Sequence, residues 1–477
     1  MRTAAHFLRL LSTSLLVCAG IAAETTRPNI VFIMLDDQGA MDAGFAGSTY
    51  YETPSLDRVA REGMIFRQAY TCGPNCAPTR ASLMSGQYGP RTCIYTVDNS
   101  DRGSAKDRKL VPIENRKELE GSVVTWAERV QAAGYATASI GKWHLGSNKG
   151  TLPTDQGFLL NIAGSEAGHP TSYFAPYNLA YLTDGPKGEN LNDRLAEEAV
   201  GFIKANANKP FCLYFPQYAV HGPIQSKPDL TARFKDRKPV GEQKDPEYAG
   251  LLFGADQAVG RVLATLDELH LTEKTVVVVT SDNGGKQGVT GNAPLRGYKG
   301  MLYEGGIRVP LAVRWPGRIA AGSVSEVPVI TVDFYPTLLA MTGSTPAKDT
   351  VLDGVNIMPL MQGGAKLDRE ALYWHFPCYL EGGGGGKSGK QSKQGAKPDV
   401  FRTRPVGAIR MGNWKLLEFF EDSRVELYDL SVDQSEQHDL AQDQPKRRDE
   451  LIGKLRQWRE QVKAPVPTKL NPEYVGK

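Results

Sequence analysis

The chain has 477 residues and a formal net charge of +3, and 41% of its residues are hydrophobic and 23% charged. This composition is typical of a globular protein and excludes wholesale disorder, while the length exceeds one ordinary hydrophobic core, so we expect one large and one smaller domain. The near-neutral charge and the lack of a long basic stripe give no indication of a nucleic-acid partner, and none is expected.

The N-terminal residues 1–23 have the pattern of a secretory signal peptide. Arg2 and Arg9 flank the start of an apolar segment, residues 8–23, that ends in small residues. We therefore expect an exported protein, either periplasmic or secreted. A membrane anchor is the alternative, but the segment is short for a spanning helix. Lipidation at Cys18 is disfavoured by the bulky residue before it, and no membrane span is expected elsewhere.

Residues 24–354 alternate between short apolar runs and helical patterns. The predicted strands are 30–35, 135–140, 211–215 and 275–280, and the predicted helices are 54–63, 123–133, 191–205 and 248–269. Continuous apolar runs are typical of strands that are buried on both faces of a parallel sheet. The alternation predicts an α/β domain with a large doubly wound sheet, mixed but mostly parallel, flanked by helices.

Residues 355–477 are expected to form a smaller α+β domain. Segments 414–420 and 425–430 alternate as paired antiparallel strands do, and 447–463 has a helical pattern. Segment 381–397 contains five consecutive glycines and four lysines. Such a composition predicts a mobile, solvated surface loop, which we favour over a segment that grips a polyanion.

Polar motifs follow the end of each predicted strand of the large domain. Asp36 and Asp37 follow the first strand, and Asp282 and Asn283 follow the last. Ligand crevices of open α/β sheets form at the carboxyl ends of strands. Each pair alone is commonly a turn, but together the oxygens predict a site for a hard cation, Ca²⁺ or Mg²⁺, with zinc disfavoured because no His or Cys accompanies them.

The segment from Cys76 to Gly86 carries the most specific chemical information. Pro78 suits the first turn of a helix, whose N-terminus would attract an anion near Cys76, and Arg80 adds a fixed cation. The alternative is a buried or disulfide-bonded cysteine. The sequence does not choose between disulfides and free thiols for the other cysteines of the mature chain, which are Cys72, Cys93, Cys212 and Cys378.

The chain resembles the type I, formylglycine-dependent sulfatases of the alkaline-phosphatase superfamily over nearly all of the mature sequence, and especially the arylsulfatase-like exported bacterial carbohydrate sulfatases. The matching segments occur in the order of that family and are 28–37, 76–86, 141–146, 219–223, 281–284, the segment around Lys299, and 426–430. After Asp36-Asp37, residues 38–42 depart from the pattern of many relatives, which we expect to alter the wall of the pocket but not the cation site.

The resemblance implies that Cys76 is oxidised to formylglycine (3-oxoalanine) by a formylglycine-generating or anaerobic sulfatase-maturating enzyme. The modified residue would complete the ligand shell of one divalent cation, Ca²⁺ rather than Mg²⁺, with Asp36, Asp37, Asp282 and Asn283. The hydrated aldehyde would be the nucleophile, because its second hydroxyl allows sulfate to be expelled without attack by water on sulfur.

The remaining implied roles belong to cations and histidines. Arg80 would stabilise the formylglycine hydrate and the metal site, while Lys142 and Lys299 would hold the sulfate oxygens. His221 would protonate the departing oxygen with help from Lys299. His144 would accept the proton of the second hydroxyl.

The substrate expected from the resemblance is a sulfated polysaccharide or oligosaccharide, with His169 and His375 hydrogen-bonding to sugar hydroxyls among aromatic residues. Two alternatives stay open. One is a phosphodiester or phosphonate monoester hydrolase that uses the same site. The other is a non-catalytic sulfoglycan-binding protein in which Cys76 is unmodified.

Overall fold

The structure is a computed structural model that describes residues 27–382 and 400–476. The predicted signal peptide (1–23), and the part of the Gly/Lys-rich segment beyond residue 382, lie outside the described residues.

The described residues form sixteen strands and eleven α-helices. The strands are β1 (Asn29–Leu35), β2 (Met64–Phe66), β3 (Ala69–Tyr70), β4 (Ala136–Ile140), β5 (Leu160–Ile162), β6 (Phe211–Pro216), β7 (Thr275–Ser281), β8 (Leu311–Arg314), β9 (Ser323–Ser325), β10 (Val329–Ile330), β11 (Leu372–Phe376), β12 (Leu380–Glu381), β13 (Phe401–Thr403), β14 (Val406–Met411), β15 (Trp414–Phe419) and β16 (Val425–Asp429). The helices are α1 (Pro54–Arg61), α2 (Cys76–Ser85), α3 (Gly89–Thr92), α4 (Trp126–Ala132), α5 (Leu191–Ala205), α6 (Pro228–Ala232), α7 (Pro246–Glu268), α8 (Glu304–Ile307), α9 (Phe334–Thr342), α10 (Met358–Met361) and α11 (Pro445–Gln461).

The largest sheet has eight strands in the order β5-β4-β6-β1-β7-β8-β2-β9. β8 is antiparallel to both of its neighbours, and every other pair is parallel. The predicted mixed, mostly parallel sheet is thus confirmed.

Helices cover both faces of this sheet, because both faces of its central strands are apolar. All seven residues of β1 are buried. Val31 and Ile33 pack into one core with residues of α1, α5 and α7. Phe32 and Met34 point to the opposite face and pack with residues of α2, α4 and α9. The alternation of side chains along one strand therefore serves two separate cores, as a doubly wound sheet requires.

The predicted helix boundaries agree with the structure to within a few residues. α5 spans the predicted residues 191–205, whereas α4 begins three residues after the predicted start at 123. The cause is a capping box, in which Thr125 accepts from the backbone N–H of Glu128 and the Glu128 side chain accepts from that of Thr125. This reciprocal pair fixes the first turn of the helix.

The smaller domain is an antiparallel sheet of order β11-β14-β15-β16, and α11 packs against β14 and β15. The predicted pairing of the segments around 414–420 and 425–430 is confirmed by the register of β15 and β16, in which Leu416 lies opposite Leu427. Lys415 of β15 connects the smaller domain to α8 of the large domain. Its ammonium lies 3.0 Å from Glu304 in α8 and 2.8 Å from Glu436, and all three side chains are fully buried.

The four strands that carry the polar motifs are neighbours. β4, β6, β1 and β7 are consecutive in the sheet and mutually parallel. Their carboxyl ends therefore lie at one edge, where the segments that follow them converge. None of the helices in the described part of the chain is long and apolar enough to traverse a bilayer.

Candidate active site

Three carboxylates and one thiol converge at this edge of the sheet. Asp36, Asp37, Asp282 and Cys76 each offer a ligand atom, and these atoms all lie within 4.8 Å of one another. All four residues are buried. The grouping that the sequence predicted from two separate strand ends is present.

Unpaired oxygens within this cluster match the needs of a hard cation. Asn283 donates from Nδ2 to Asp37 Oδ1 at 2.8 Å. Within the described residues, Asn283 Oδ1 and Asp37 Oδ2 are buried and have no hydrogen-bond partner. Buried polar atoms of native proteins are nearly always satisfied, and carboxylate and amide oxygens are the ligands that Ca²⁺ and Mg²⁺ prefer. The donor set therefore fits a divalent cation.

Cys76 is the first residue of α2, a ten-residue helix whose side chains are all buried. Its Sγ lies 3.4 Å from Asp36 Oδ1 and 3.3 Å from Lys299 Nζ. Burial and the neighbouring Asp36 raise the pKa of the Cys76 thiol to about 12, and a protonated thiol is a poor nucleophile. All five described cysteines are free, so there is no disulfide within residues 27–382 and 400–476.

Arg80 lies one helical turn after Cys76 and forms hydrogen bonds to Asp282 and to the Lys142 segment. Its Nε and Nη2 donate to Asp282 Oδ2 at 2.9 and 2.7 Å. Its Nη1 donates to the carbonyl of Lys142 at 2.9 Å. Both Arg80 and Asp282 are fully buried. The guanidinium thus holds one carboxylate and one loop of the site in place, and it does not line the cavity described below.

Two lysines balance the charge of the carboxylates. Lys142 Nζ lies 2.5 Å from Asp36 Oδ2, and Lys299 Nζ lies 2.5 Å from Asp37 Oδ1. Although burial opposes ionisation of Asp37, Lys299 holds its pKa well below the usual range. Burial acts against protonation of Lys299, but Asp37 and Cys76 keep its pKa above the ordinary value. Asp37 is therefore ionised and Lys299 protonated.

Gly141 allows the Lys142 segment to lie against the neighbouring strand. Its φ is +124°, and a Cβ atom there would lie 1.9 Å from the carbonyl oxygen of Pro216. Lys142 N–H donates to the same carbonyl at 2.8 Å. Only glycine permits this approach, which directs Lys142 towards the carboxylates.

Three histidines lie around the cluster. His221 Nε2 is 3.8 Å from Asp37 Oδ2, and its Nδ1 is 2.9 Å from the carbonyl of Gly222. Because a carbonyl only accepts, Nδ1 carries the proton and Nε2 faces the carboxylate. Burial and Lys299 lower the pKa of His221 to about 3. The His169 ring stacks on His221, with centroids 5.6 Å apart and planes 4° from parallel.

His144 is the third histidine of the group. Burial and Lys142 lower its pKa well below the ordinary value, so the ring is neutral. Its Nδ1 is buried and has no hydrogen-bond partner among the described residues.

A cavity of about 420 Å³ opens onto Cys76. Five of the predicted site residues line it: Cys76, His144, His169, His221 and Lys299. Lys142, Arg80 and the carboxylates lie beneath, where burial strengthens their interactions.

The structure does not place His375 with these residues. His375 lies in β11 of the smaller domain and is 7% exposed. Its Nε2 is 2.8 Å from the carbonyl of Pro465, and its ring packs against Tyr95 and Phe420. Since the ring is buried and its Nε2 is engaged, this placement does not support the predicted contact between His375 and the sugar.

Several charged residues of the cavity were not predicted from the sequence. They are Asp98, Arg102, Glu166, Lys286 and Arg402. Lys286 follows the Asp282–Gly285 motif closely and could have been proposed on that ground. The others lie in loops or in a short strand without a recognisable pattern.

Comparison with known proteins agrees with this fold. The family model described as Sulfatase matches residues 28–344, and the chain therefore belongs to the sulfatase family, within the alkaline-phosphatase superfamily. Sulfatases hydrolyse sulfate esters, and this chain is an enzyme of that class.

Individual relatives cover most of the chain. It is 32% identical to a sulfatase of Formosa agariphila, over 96% of this chain and 95% of the relative. It is 33% identical to the N-acetylgalactosamine-6-sulfatase of Homo sapiens, over 74% of this chain and 70% of the relative. The crystal structure of Ps i-CgsB in complex with k-i-k-neocarrahexaose is similar with a TM-score of 0.74 and 28% identity, over 91% of this chain and 92% of that one.

Proposed function

We propose that this enzyme removes sulfate from a sulfated carbohydrate, using a formylglycine made from Cys76 and one bound divalent cation. The observation that carries the proposal is the position of Cys76, which begins a buried helix, lies within 4.8 Å of three carboxylates and faces an open cavity. The names of two relatives support a carbohydrate as substrate: one is an N-acetylgalactosamine-6-sulfatase, and the other was crystallised with a neocarrahexaose. Export to the periplasm or medium would bring the enzyme to such glycans.

Asp36, Asp37, Asp282 and Asn283 would hold the cation together with residue 76. The oxygen-only donor set favours Ca²⁺, with Mg²⁺ as the alternative. When bound, the cation would supply positive charge that polarises the sulfate ester and stabilises negative charge on residue 76. The unpaired Asn283 Oδ1 and Asp37 Oδ2 support this assignment.

Once hydrated, the formylglycine aldehyde would supply a geminal diol, of which one hydroxyl would attack sulfur as the sugar oxygen leaves and the other would allow the later release of sulfate. A partner enzyme of the formylglycine-generating or anaerobic maturating type would be required to form it. The raised pKa of the unmodified thiol agrees with the need for conversion.

The two lysines and the helix N-terminus provide the positive surroundings of the sulfate. Lys299 lines the cavity next to Cys76 and is placed to hold a sulfate oxygen. Lys142, fully buried beneath Asp36, adds charge from below. Pre-organised charge of this kind is usually the largest contribution to catalysis.

The histidines are placed to move protons at two different atoms. His144 is neutral and lines the cavity, so it can accept a proton from residue 76. His221 presents an unprotonated Nε2 and must gain a proton before it can donate one to the leaving oxygen. A bound sulfate next to the ring would favour the charged imidazolium, and Lys299 is a protonated neighbour that can assist.

Comparing the hydrolysis of an aryl sulfate with that of aryl phosphate mono- and diesters tests the reaction class. We expect the sulfate ester to have the highest kcat/KM, because a phosphate monoester carries additional negative charge and a phosphodiester carries a second substituent that a sulfate ester lacks. A higher kcat/KM for the phosphodiester would favour the phosphodiester or phosphonate hydrolase instead. Binding of sulfated oligosaccharides without any sulfate release would favour a binding protein.

A screen of defined sulfated oligosaccharides tests the substrate class. Release of inorganic sulfate from at least one of them, with a kcat/KM above that of the aryl sulfate, is the expected result. Hydrolysis of the aryl sulfate alone would show that the enzyme is a sulfatase but not a carbohydrate sulfatase.

A further inference from the structure

The cavity at Cys76 extends beyond the groups that the proposed reaction uses. Lys299, His144 and His221 surround the reacting centre, but the same cavity also reaches Arg102 and Arg402. These arginines lie near the junction with the smaller domain, on segments that carry none of the motifs of the reaction. Their charges therefore call for a separate explanation.

Arg402 is held beside Lys299 by two contacts of its strand. Arg402 is the middle residue of β13, and the next residue, Thr403, donates from Oγ1 to the carbonyl of Gly300. A Cβ atom on Gly300 would lie 2.9 Å from Arg402 Nε and 3.1 Å from Cζ. The guanidinium thus packs directly over Gly300, the residue that follows Lys299. The lack of a side chain at Gly300 leaves room for this packing, and its φ of +93° also suits glycine.

The charge of Arg402 has no direct ion-pair partner within the described residues, although Glu381 and Asp37 act on it from a greater distance. Arg102 donates from Nε to Glu381 Oε2 at 2.8 Å and makes a second bond to Oε1, so this pair is balanced. Arg402 forms no ion pair in the described part of the chain, and its Nε is buried without a hydrogen-bond partner there. Burial and the charge of Arg102 lower its pKa, yet an arginine side chain remains charged in proteins.

An unpaired, partly buried guanidinium is costly unless an anion completes its hydrogen bonds. Its planar donors match the oxygens of a sulfate or carboxylate in a bidentate arrangement. Lys286, an exposed residue of the same cavity, adds a further positive charge. Two acidic residues also line the cavity: Asp98, four residues before Arg102, and Glu166, on the segment that carries Gly168 and His169. Four cationic residues of the lining, Arg102, Lys286, Lys299 and Arg402, thus outnumber the two acidic ones.

We propose that Arg402 binds a second anionic group of the glycan, a sulfate or a carboxylate on the sugar that is desulfated or on its neighbour. This inference rests on the proposed function and narrows it: the preferred substrate carries at least two negative charges, of which one is cleaved at residue 76 and the other is bound by Arg402. The contact determines specificity and takes no part in bond cleavage.

The test compares wild type, Arg402→Gln, Arg402→Lys and a control, Arg61→Gln, which alters an exposed arginine outside the cavity. Each is assayed on an aryl sulfate and on three sulfated oligosaccharides of equal length, which carry no second anion, a second sulfate or a carboxylate. We expect wild type to prefer one of the doubly charged oligosaccharides. In Arg402→Gln, the ratio of its kcat/KM to that of the aryl sulfate should fall about 10- to 100-fold, as for loss of a charge-assisted bidentate contact. Arg402→Lys should recover part of the ratio, and the control should match wild type.

The three oligosaccharides identify the anion, since only the preferred one should lose its advantage in Arg402→Gln. The inference is overturned if wild type does not distinguish singly from doubly charged oligosaccharides. It is also overturned if Arg402→Gln lowers kcat/KM equally on all substrates, which would indicate a structural role. If wild type cleaves none of the oligosaccharides, the carbohydrate assignment fails. In that case the oligosaccharides are tested as inhibitors of aryl sulfate hydrolysis. If the doubly charged oligosaccharides, but not the singly charged one, inhibit Arg402→Gln more weakly than wild type, the proposed role of Arg402 is supported. If they inhibit both enzymes equally, it is refuted.

Discussion

Replacing Arg80 by methionine tests whether the fully buried guanidinium holds the cation site together. Arg80 and Asp282 are both 0% exposed, and the pair is joined by two hydrogen bonds to one carboxylate oxygen. Removing one partner of a buried ion pair costs about 3–5 kcal/mol, because the other charge is left uncompensated. Burial and Asp36 already raise the pKa of Asp282, and Arg80 opposes this rise. Without Arg80, Asp282 should become protonated and stop serving as a cation ligand.

Urea denaturation with and without added Ca²⁺ measures both effects. Wild type should gain stability from Ca²⁺, by about 2.7 kcal/mol at a hundredfold excess over Kd. Arg80→Met should be destabilised by about 3–5 kcal/mol without Ca²⁺ and should gain little when Ca²⁺ is added. Arg314→Met is the matched control: Arg314 is also 0% exposed, but it pairs with the 35% exposed Glu62. It lies opposite Val277, towards the start of β7, whereas the cation ligands Asp282 and Asn283 follow the end of that strand. This control should keep the full Ca²⁺ gain. An Arg80→Met enzyme with wild-type stability and the same response to Ca²⁺ would refute the reasoning.

Three further outcomes are expected. Lys415→Met leaves the buried Glu436 without an ion-pair partner and leaves Glu304 with only the longer contact to Arg308 at 3.6 Å, so it should lower the free energy of unfolding by about 3–5 kcal/mol. Lys454→Met, at a partly exposed pair, should lower it by no more than about 1 kcal/mol, and equal losses would contradict the argument. Burial lowers the pKa of His375 from 6.5 to about 4. Between these pH values the unfolded chain binds one more proton than the folded chain, so stability is lost as pH falls from about 6.5 towards 4. His375→Gln should flatten this part of the curve of stability against pH, and an unchanged slope would contradict the lowered pKa of His375. His169→Ala should lower kcat/KM for the sulfated glycan several-fold, whereas His375→Gln should leave it within about twofold of wild type, since His169 lines the cavity and His375 does not. A larger loss in His375→Gln than in His169→Ala would support the predicted contact between His375 and the sugar.

The central part of the fold could be predicted because local and global signals agree there. The continuous apolar run of β1 needs two covered faces, and only a sheet between two helical layers offers them. The cation ligands could be grouped because they follow two parallel strands, whose carboxyl ends lie at one edge of the sheet. These ligands are Asp36, Asp37, Asp282 and Asn283. The sequence predicts a start of α4 three residues too early, because the apolar pattern continues on the N-terminal side of Thr125, where the capping box begins the helix.

The rim of the cavity could not be predicted in the same way. Arg402 reaches the site through the packing of β13 on Gly300, a contact between residues that are about a hundred positions apart and carry no periodic pattern. His375 lies in an aromatic stretch that resembles a sugar-binding surface, but β11 is covered by the segment around Pro465, and the ring is buried. Residue type alone does not distinguish a buried aromatic segment from an exposed one.

The state of residue 76 in the active enzyme is the most direct test of the mechanism. The enzyme is produced with and without a maturation system, and mass spectrometry of the peptide that contains residue 76 is compared with the rate of sulfate release by the same preparation. We expect activity to rise in proportion to the fraction of peptide that carries the aldehyde, and to vanish when every copy retains the thiol. Full sulfate release from a preparation in which all of residue 76 remains cysteine would contradict the account.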